Sequence, residues 1–267
     1  MPLEPGKGSI LWWYKVGELK FFLGLQVVQE EDGIRIHQQK CLREMITKFG
    51  MNDSSAMTTP ISPNESLGKE KSSPHIDQTL YRWMTGSFLY ISASRPDIMY
   101  SVCLCARFQD DPWETHLKAV KRILCYMKGT GTLCLWYPRN ADLRLVGYTN
   151  TEFTGNKVDQ KSTSGMAQFF GSCLLSWASK KQNLVALSTA EAEYITAAAC
   201  CAQLLWLKQQ LSDYSIIFEY VPILGDTNIS KNHVHHFRTK HIEIKHHFLC
   251  DCVEKGVVSV EFCRTEE

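Results

Sequence analysis

The chain has 267 residues, enough for one large domain or two small ones, and either can bury a core. Lys and Arg total 29 against 28 for Asp and Glu, so nucleic-acid binding has to rest on local basic patches, not on overall charge. The 11 cysteines, an odd number without secreted-scaffold spacing, imply free thiols in a reducing compartment. The opening Met1-Pro2-Leu3-Glu4-Pro5 is not a signal peptide, and no uncharged apolar run reaches the length of a membrane span. The expectation is an intracellular, cytoplasmic protein without a membrane partner.

In chain order, residues 20–28 read as a strand, Glu30-Glu31-Asp32-Gly33 as a turn, and Ile34 to His37 as the returning strand of a hairpin. A helix is predicted over 38–49, stopping near Gly50. Residues 58–74, rich in Ser, Pro, Asn and Lys, read as a linker. Helices are predicted over 81–93 and 97–108, separated by Arg95-Pro96, with Pro suited to an early helical position. A third spans 113–128, where Leu117, Val120, Leu124 and Met127 recur at helical spacing. Lys118, Lys121 and Arg122 gather on another of its faces, either as a phosphate contact or as an ordinary solvated surface.

From about residue 143 the pattern becomes mixed. Strands are predicted over 143–148, 165–170 and 173–178, the last two joined through Gly171-Ser172. A long helix follows over 189–211, then a strand over 220–224, a helix over 240–254 and a strand over 257–262. This order specifies an α/β class with a mixed sheet and helices packed on its faces.

Ser188-Thr189-Ala190-Glu191 fits a capping box in which Glu191 reaches back to the amide of Ser188. Glu193 points elsewhere, at the head of a stripe formed by Ala197, Cys200, Leu204, Leu207 and Leu211 that should bury against the sheet. A second stripe, Ile195, Ala199, Ala202 and Trp206, implies another neighbour. Glu193 would then stand beside the strand ends at Asn150 and Asp226. Three oxygen-bearing groups there suit a hard cation, and two such ions would activate water for phosphodiester hydrolysis. Asn150 brings no negative charge, however, and cannot replace a bridging carboxylate. Glu193 alone is equally an exposed acid favoured by the helix dipole, and Asp226 alone equally a helix cap.

Several stretches together carry a resemblance. They are Gly147-Tyr148-Thr149-Asn150, Asp159-Gln160-Lys161-Ser162-Thr163-Ser164-Gly165, Ser176-Trp177-Ala178-Ser179-Lys180-Lys181-Gln182, Ala186-Leu187-Ser188-Thr189-Ala190-Glu191-Ala192-Glu193-Tyr194 and Arg238-Thr239-Lys240-His241-Ile242. Over this region the sequence resembles the ribonuclease H (RNase H) domain of copia-type retrotransposon Pol polyproteins. Upstream, Gly17-Glu18-Leu19-Lys20-Phe21-Phe22-Leu23-Gly24-Leu25 resembles the end of the reverse transcriptase palm. Ser94-Arg95-Pro96-Asp97-Ile98 and His116-Leu117-Lys118-Ala119-Val120-Lys121-Arg122 resemble its thumb and connecting segments.

The resemblance implies a reverse transcriptase hairpin and helix over 1–57, a linker over 58–79, a helical thumb and connection over 80–140, and an RNase H-like domain over 141–267. It implies cleavage of RNA in RNA–DNA hybrids by four carboxylates and two Mg²⁺ ions, with Mn²⁺ as an alternative. Carried over by motif, the first acid falls on Asn150, the second on Glu193 and the third on Asp226. The fourth belongs to a terminal helix, and the sequence ends at Arg264-Thr265-Glu266-Glu267 before it. No Tyr-x-Asp-Asp polymerase motif occurs. The expectation is a truncated fragment with impaired or absent nuclease activity that binds metal weakly or not at all, and whose protein partners are unknown. A residually active nuclease and a non-catalytic nucleic-acid-binding module are the alternatives. Lys180, Lys181, Arg238, Lys240 and His241, with the helical Lys118, Lys121 and Arg122, are the candidate phosphate contacts. His246 and Cys250 have helical spacing for a shared zinc ion, but the family's helix already carries His-His-Phe there.

Overall fold

A computed structural model describes residues 19–62, 67–68, 73–154, 159–225 and 240–263, without the side chains of 240–243 and 246. β1 (Phe21–Phe22), β2 (Leu25–Glu30), β3 (Gly33–His37) and β4 (Leu135–Pro138) form an antiparallel sheet in that order. The single strand expected over 20–28 is broken at Leu23-Gly24, whose φ angles are 48° and 80°. The turn brings the Leu23 carbonyl to the Tyr90 hydroxyl, which donates to it at 2.7 Å. A Cβ at Gly24 would collide with that hydroxyl, so the close approach requires glycine. β4 is a strand the sequence reading lacks, and it pairs with β3 from far along the chain.

The chain also forms α1 (Gln39–Lys48), α2 (Gln78–Ile91), a 3₁₀ turn at Pro96–Ile98, α3 (Met99–Ala106) and α4 (Glu114–Gly129), which pack on one another. Tyr81, Phe88, Ile98, Val102, Val120, Ile123 and Leu124 fill the core between the helices. The α4 stripe buries as its spacing predicts, with Leu117 at the edge. The polar segment after α1 is not a free span. Leu67 is buried and Ile61 packs on the core, Arg122 donates to the Thr59 carbonyl and hydroxyl, and the His116 Nε2 lies 3.0 Å from the Gly68 carbonyl.

The second sheet has the order β7-β6-β5-β8-β9, from β5 (Leu145–Glu152), β6 (Thr163–Phe170), β7 (Cys173–Lys181), β8 (Val221–Gly225) and β9 (Val258–Phe262). β5, β6 and β7 are antiparallel neighbours, while β5–β8 and β8–β9 are parallel. α5 (Thr189–Ser212) and α6 (Lys240–Glu254) pack over one face, with Ala197, Cys200, Leu204 and Ile223 in the core between. This is the RNase H-like mixed sheet that the resemblance implies. β5 runs on to Glu152, past the end expected at 148. The second α5 stripe is only partly covered: Ile195 is buried, but Trp206 is 56% exposed. α6 meets a different side of α5, where Cys201 and Cys252 are both buried in the core.

The opposite face of this sheet receives the helical region. The Trp177 indole donates to the Ser92 carbonyl, Arg107 to the Thr163 hydroxyl, and Tyr137 to the Leu174 carbonyl. Among the described residues no helix is long and apolar enough to cross a membrane.

Gly171 closes the β6–β7 hairpin at φ 58°, and a Cβ there would strike the backbone of Asp142. Gly171→Ala should therefore cost about 1–3 kcal/mol, read as a lower urea midpoint with an unchanged m value. An unchanged midpoint would show that the hairpin relaxes without penalty.

Candidate functional site

The strand directions bring one set of groups to a single end of the mixed sheet. β5 and β8 are parallel and both finish there, β6 begins there, and β7 ends there at Lys180 and Lys181. α5 starts at the same end, because it follows β7 after a short connection, and α6 starts there after β8. Asn150, Glu152, Lys180, Lys181, Glu193 and the first turn of α6 thus converge by topology alone. Asp226 follows β8 directly but lies outside the described residues, as does Arg238. Lys240 and His241 begin α6, and their side chains lie outside the description as well. His246 of the weighed zinc pair is in the same position.

Ser188 caps α5, its hydroxyl accepting from the Glu191 amide at 3.2 Å. Glu191 is buried and accepts from the Leu187 amide at 2.6 Å, one residue before the amide the capping box predicts. Ser188 is extended, at φ −148° and ψ 161°, which brings the preceding N–H into reach. Glu191 is therefore structural. Glu193, half-buried on the next turn, starts the sheet-facing stripe.

Along β5 the side chains alternate. Gly147 and Thr151 face α5, while Tyr148, Asn150 and Glu152 line a groove of about 770 Å³ on the opposite face. Met99 and Tyr100 of α3, with Met166, Phe169 and Trp177, form its other walls. Asn150 and Glu193 thus share an end of the sheet but approach it from different faces.

The two acids that follow Asn150 in the described sequence, Glu152 and Asp159, are engaged elsewhere. The Glu152 carboxylate accepts the Tyr100 hydroxyl proton at 2.7 Å. Burial, reinforced by Glu152, pushes the Tyr100 phenol up to about 12. Asp159 pairs with the Lys181 ammonium at 2.7 Å and accepts from the Lys161 amide. Burial alone would raise its carboxyl, but these partners hold it below the usual range. Arg107, close to both acids, has its guanidinium lowered mainly by burial.

The basic residues divide in the same way. Lys118 pairs with Glu114, Arg122 holds Thr59, and Lys121 is exposed on α4. Lys180 is exposed, and beside it stands Lys245 of α6, whose ammonium is pushed down by burial and then by Lys180. Sequence reasoning missed Lys245, although it falls one turn after His241 on the predicted helix. Two adjacent ammonium groups repel unless an anion lies between them.

The described residues do not fit the two-ion centre of the fold family. Among the described residues, no three His, Cys, Asp or Glu side chains are grouped to hold a metal ion. A carboxamide stands at position 150, and the acids beside it are committed to Tyr100 and Lys181.

The mixed sheet and the placement of these motifs define an RNase H-like fold, to which a helical part is joined. No protein-family model matches the chain. It is 32% identical over 255 residues to the retrovirus-related Pol polyprotein from transposon RE1 of Arabidopsis thaliana, a match covering 94% of this chain and 17% of that protein. It is 31% identical over 265 residues to the corresponding polyprotein from transposon TNT 1-94 of Nicotiana tabacum, covering 94% and 20%. The foamy viral protease-reverse transcriptase dRH, solved in complex with double-stranded DNA, superposes with a TM-score of 0.51 at 10% identity, covering 91% of this chain and 37% of that one. That superposition shows likeness of fold. The chain belongs to the copia-type retrotransposon Pol polyproteins and spans about a fifth or less of these relatives' length.

Proposed function

We propose that this part of a Pol polyprotein binds nucleic acid through an RNase H-like domain whose hydrolytic site is disabled at position 150. The observation that carries the reading is the charge at the end of β5. Asn150 is neutral, and Glu152 and Asp159 are held by Tyr100 and by Lys181. A neutral amide oxygen does not bridge two dications, and Mg²⁺ depends on carboxylates to hold it. Glu193, with Asp226 as its neighbour by motif, leaves at most a weak single-ion site. A residually active, Mg²⁺- or Mn²⁺-dependent ribonuclease is the second reading, and these two remaining acids favour it.

The ligand in this reading is an RNA–DNA hybrid, with Lys180 and Lys245 as phosphate contacts and Lys181, Arg238, Lys240 and His241 nearby. Residues 1–57 and 80–140 are taken as reverse transcriptase-derived, 58–79 as their connection, and 141–267 as the RNase H-like domain. The cysteines, which form no disulfide among the described residues, suit a reducing compartment inside the cell.

The test is hybrid binding without hybrid cleavage. With two to four phosphate contacts, affinity should fall roughly 10- to 150-fold between 50 and 200 mM salt. Lys180→Glu and Lys245→Glu should each flatten that salt dependence by about one contact. Salt-insensitive binding, or an RNA strand cut in Mg²⁺, would contradict the proposal.

A further inference from the structure

The motif residues Ser164 and Gln182 play no part in the site above, yet both are buried. They meet Thr151 and Thr196 in a closed polar network between β5, β6, the end of β7 and α5. The Thr196 hydroxyl donates to the Ala192 carbonyl at 3.0 Å and lies 2.7 Å from each of the Thr151 and Ser164 hydroxyls. The Gln182 amide nitrogen donates to the Ser164 hydroxyl at 3.0 Å and to the Ala192 carbonyl at 2.8 Å. Thr151 directly follows Asn150, and Ala192 and Thr196 flank Glu193.

Stability alone gives little reason for this arrangement. Buried polar groups are tolerated when fully paired, and an apolar replacement of both partners is nearly neutral. The Gln182 Oε1 is buried without a protein partner among the described residues, so the amide carries an uncompensated desolvation cost. What the network does achieve is directional. Hydrogen bonds are directional, so they fix the height and rotation of the first turns of a helix against a sheet.

We propose that Thr196 and Gln182 are positioning residues that fix the first turns of α5, and with them Glu193, against position 150 at the end of β5. The inference rests on the reading of positions 150 and 193 as one site at this end of the sheet, which Asn150→Asp would make acidic again. It accounts for the Ser-Thr-Ser-Gly and Lys-Lys-Gln motifs as parts of one scaffold. They hold the spacing of the site and touch no reacting atom.

The test uses the full chain carrying Asn150→Asp, with Mn²⁺ uptake followed by electron paramagnetic resonance. Adding Thr196→Val or Gln182→Leu should weaken Mn²⁺ binding roughly 10- to 100-fold, the usual loss for a residue that orients a ligand. Thr196→Ser should restore it, because the hydroxyl returns without the methyl. Amide hydrogen exchange over residues 192–197, measured in the same proteins and in the parent chain, gives a readout that needs no metal. Thr196→Val and Gln182→Leu should each speed it while exchange in β6 stays unchanged. Mn²⁺ affinity that survives both substitutions, or exchange that neither one changes, would overturn the inference. If Asn150→Asp takes up no Mn²⁺ while exchange responds as expected, the acidic-site reading fails and the positioning of α5 stands.

Discussion

Asp97→Asn should destabilise the protein by roughly 2–4 kcal/mol, because it leaves a buried guanidinium without its carboxylate. Arg95 is 5% exposed at its side chain and forms two parallel hydrogen bonds to Asp97, at 2.8 and 2.6 Å. It also donates to the carbonyl and hydroxyl of Thr130 at the end of α4, while the Tyr126 hydroxyl donates to Asp97. The Arg-Pro-Asp stretch thereby joins the start of α3 to the end of α4. The expected cost sits toward the lower part of the range for buried pairs because about a quarter of the Asp97 side chain, 27%, meets solvent.

The same pair sets a pH dependence. Burial pushes the Asp97 carboxyl up, but Arg95 and Tyr126 together outweigh it and hold it below the ordinary carboxylate range. A depressed folded-state value contributes stability above the unfolded value of about 3.9, and that contribution disappears as pH falls through the folded one. The gap between the parent protein and Asp97→Asn should be full at pH 7 and should close below about pH 4. Urea unfolding at both pH values checks this. A gap that persists unchanged in acid would mean that the carboxylate charge is not what Arg95 needs.

The second large effect is a reciprocal packing change. Gly147 faces α5, where a Cβ would come within 2.6 Å of the Leu204 Cδ1 and 2.7 Å of the Cys200 Sγ. Gly147→Ala should therefore cost about 1–3 kcal/mol by overpacking. Leu204→Ala removes a fully buried side chain and should cost about 2–5 kcal/mol. In the double variant the new methyl enters the space that Leu204 vacates, so the combined loss should be smaller than the sum by about 0.5–3 kcal/mol. Strict additivity in thermal unfolding would show that α5 moves away from β5 without resistance.

Legibility from the sequence followed the range of the interactions. α6 begins and ends where its periodicity places it, and α1 and α4 lie within a residue or so of their signals. The hairpin around Asp32-Gly33 and the turn at Gly171 were likewise written in local residues. β4 was not, because Leu-Trp-Tyr-Pro has no alternation to betray it and its partner β3 lies in another region of the chain. The break at Leu23-Gly24 depends on Tyr90, and the engagement of Glu152 depends on Tyr100. Neither partner is visible from the neighbouring sequence. The polar composition of 58–74 reads as a linker because it carries few apolar residues, and no local pattern marks Leu67 and Ile61 as the ones that pack on the helical core. At the candidate site, Asn150, Glu193 and the two β7 lysines were legible as motif residues. The nearness of Lys245 to Lys180 and the network around Thr196 required the fold.

The most direct test of the disabled site is Mn²⁺-supported cleavage of an end-labelled RNA–DNA hybrid by the parent chain, Asn150→Asp and Asn150→Asp/Glu193→Gln. No cutting by the parent, with cutting by Asn150→Asp that disappears in the double variant, is the predicted result. Cleavage by the parent chain that is abolished by Glu193→Gln alone would contradict it and establish a nuclease working without a carboxylate at position 150.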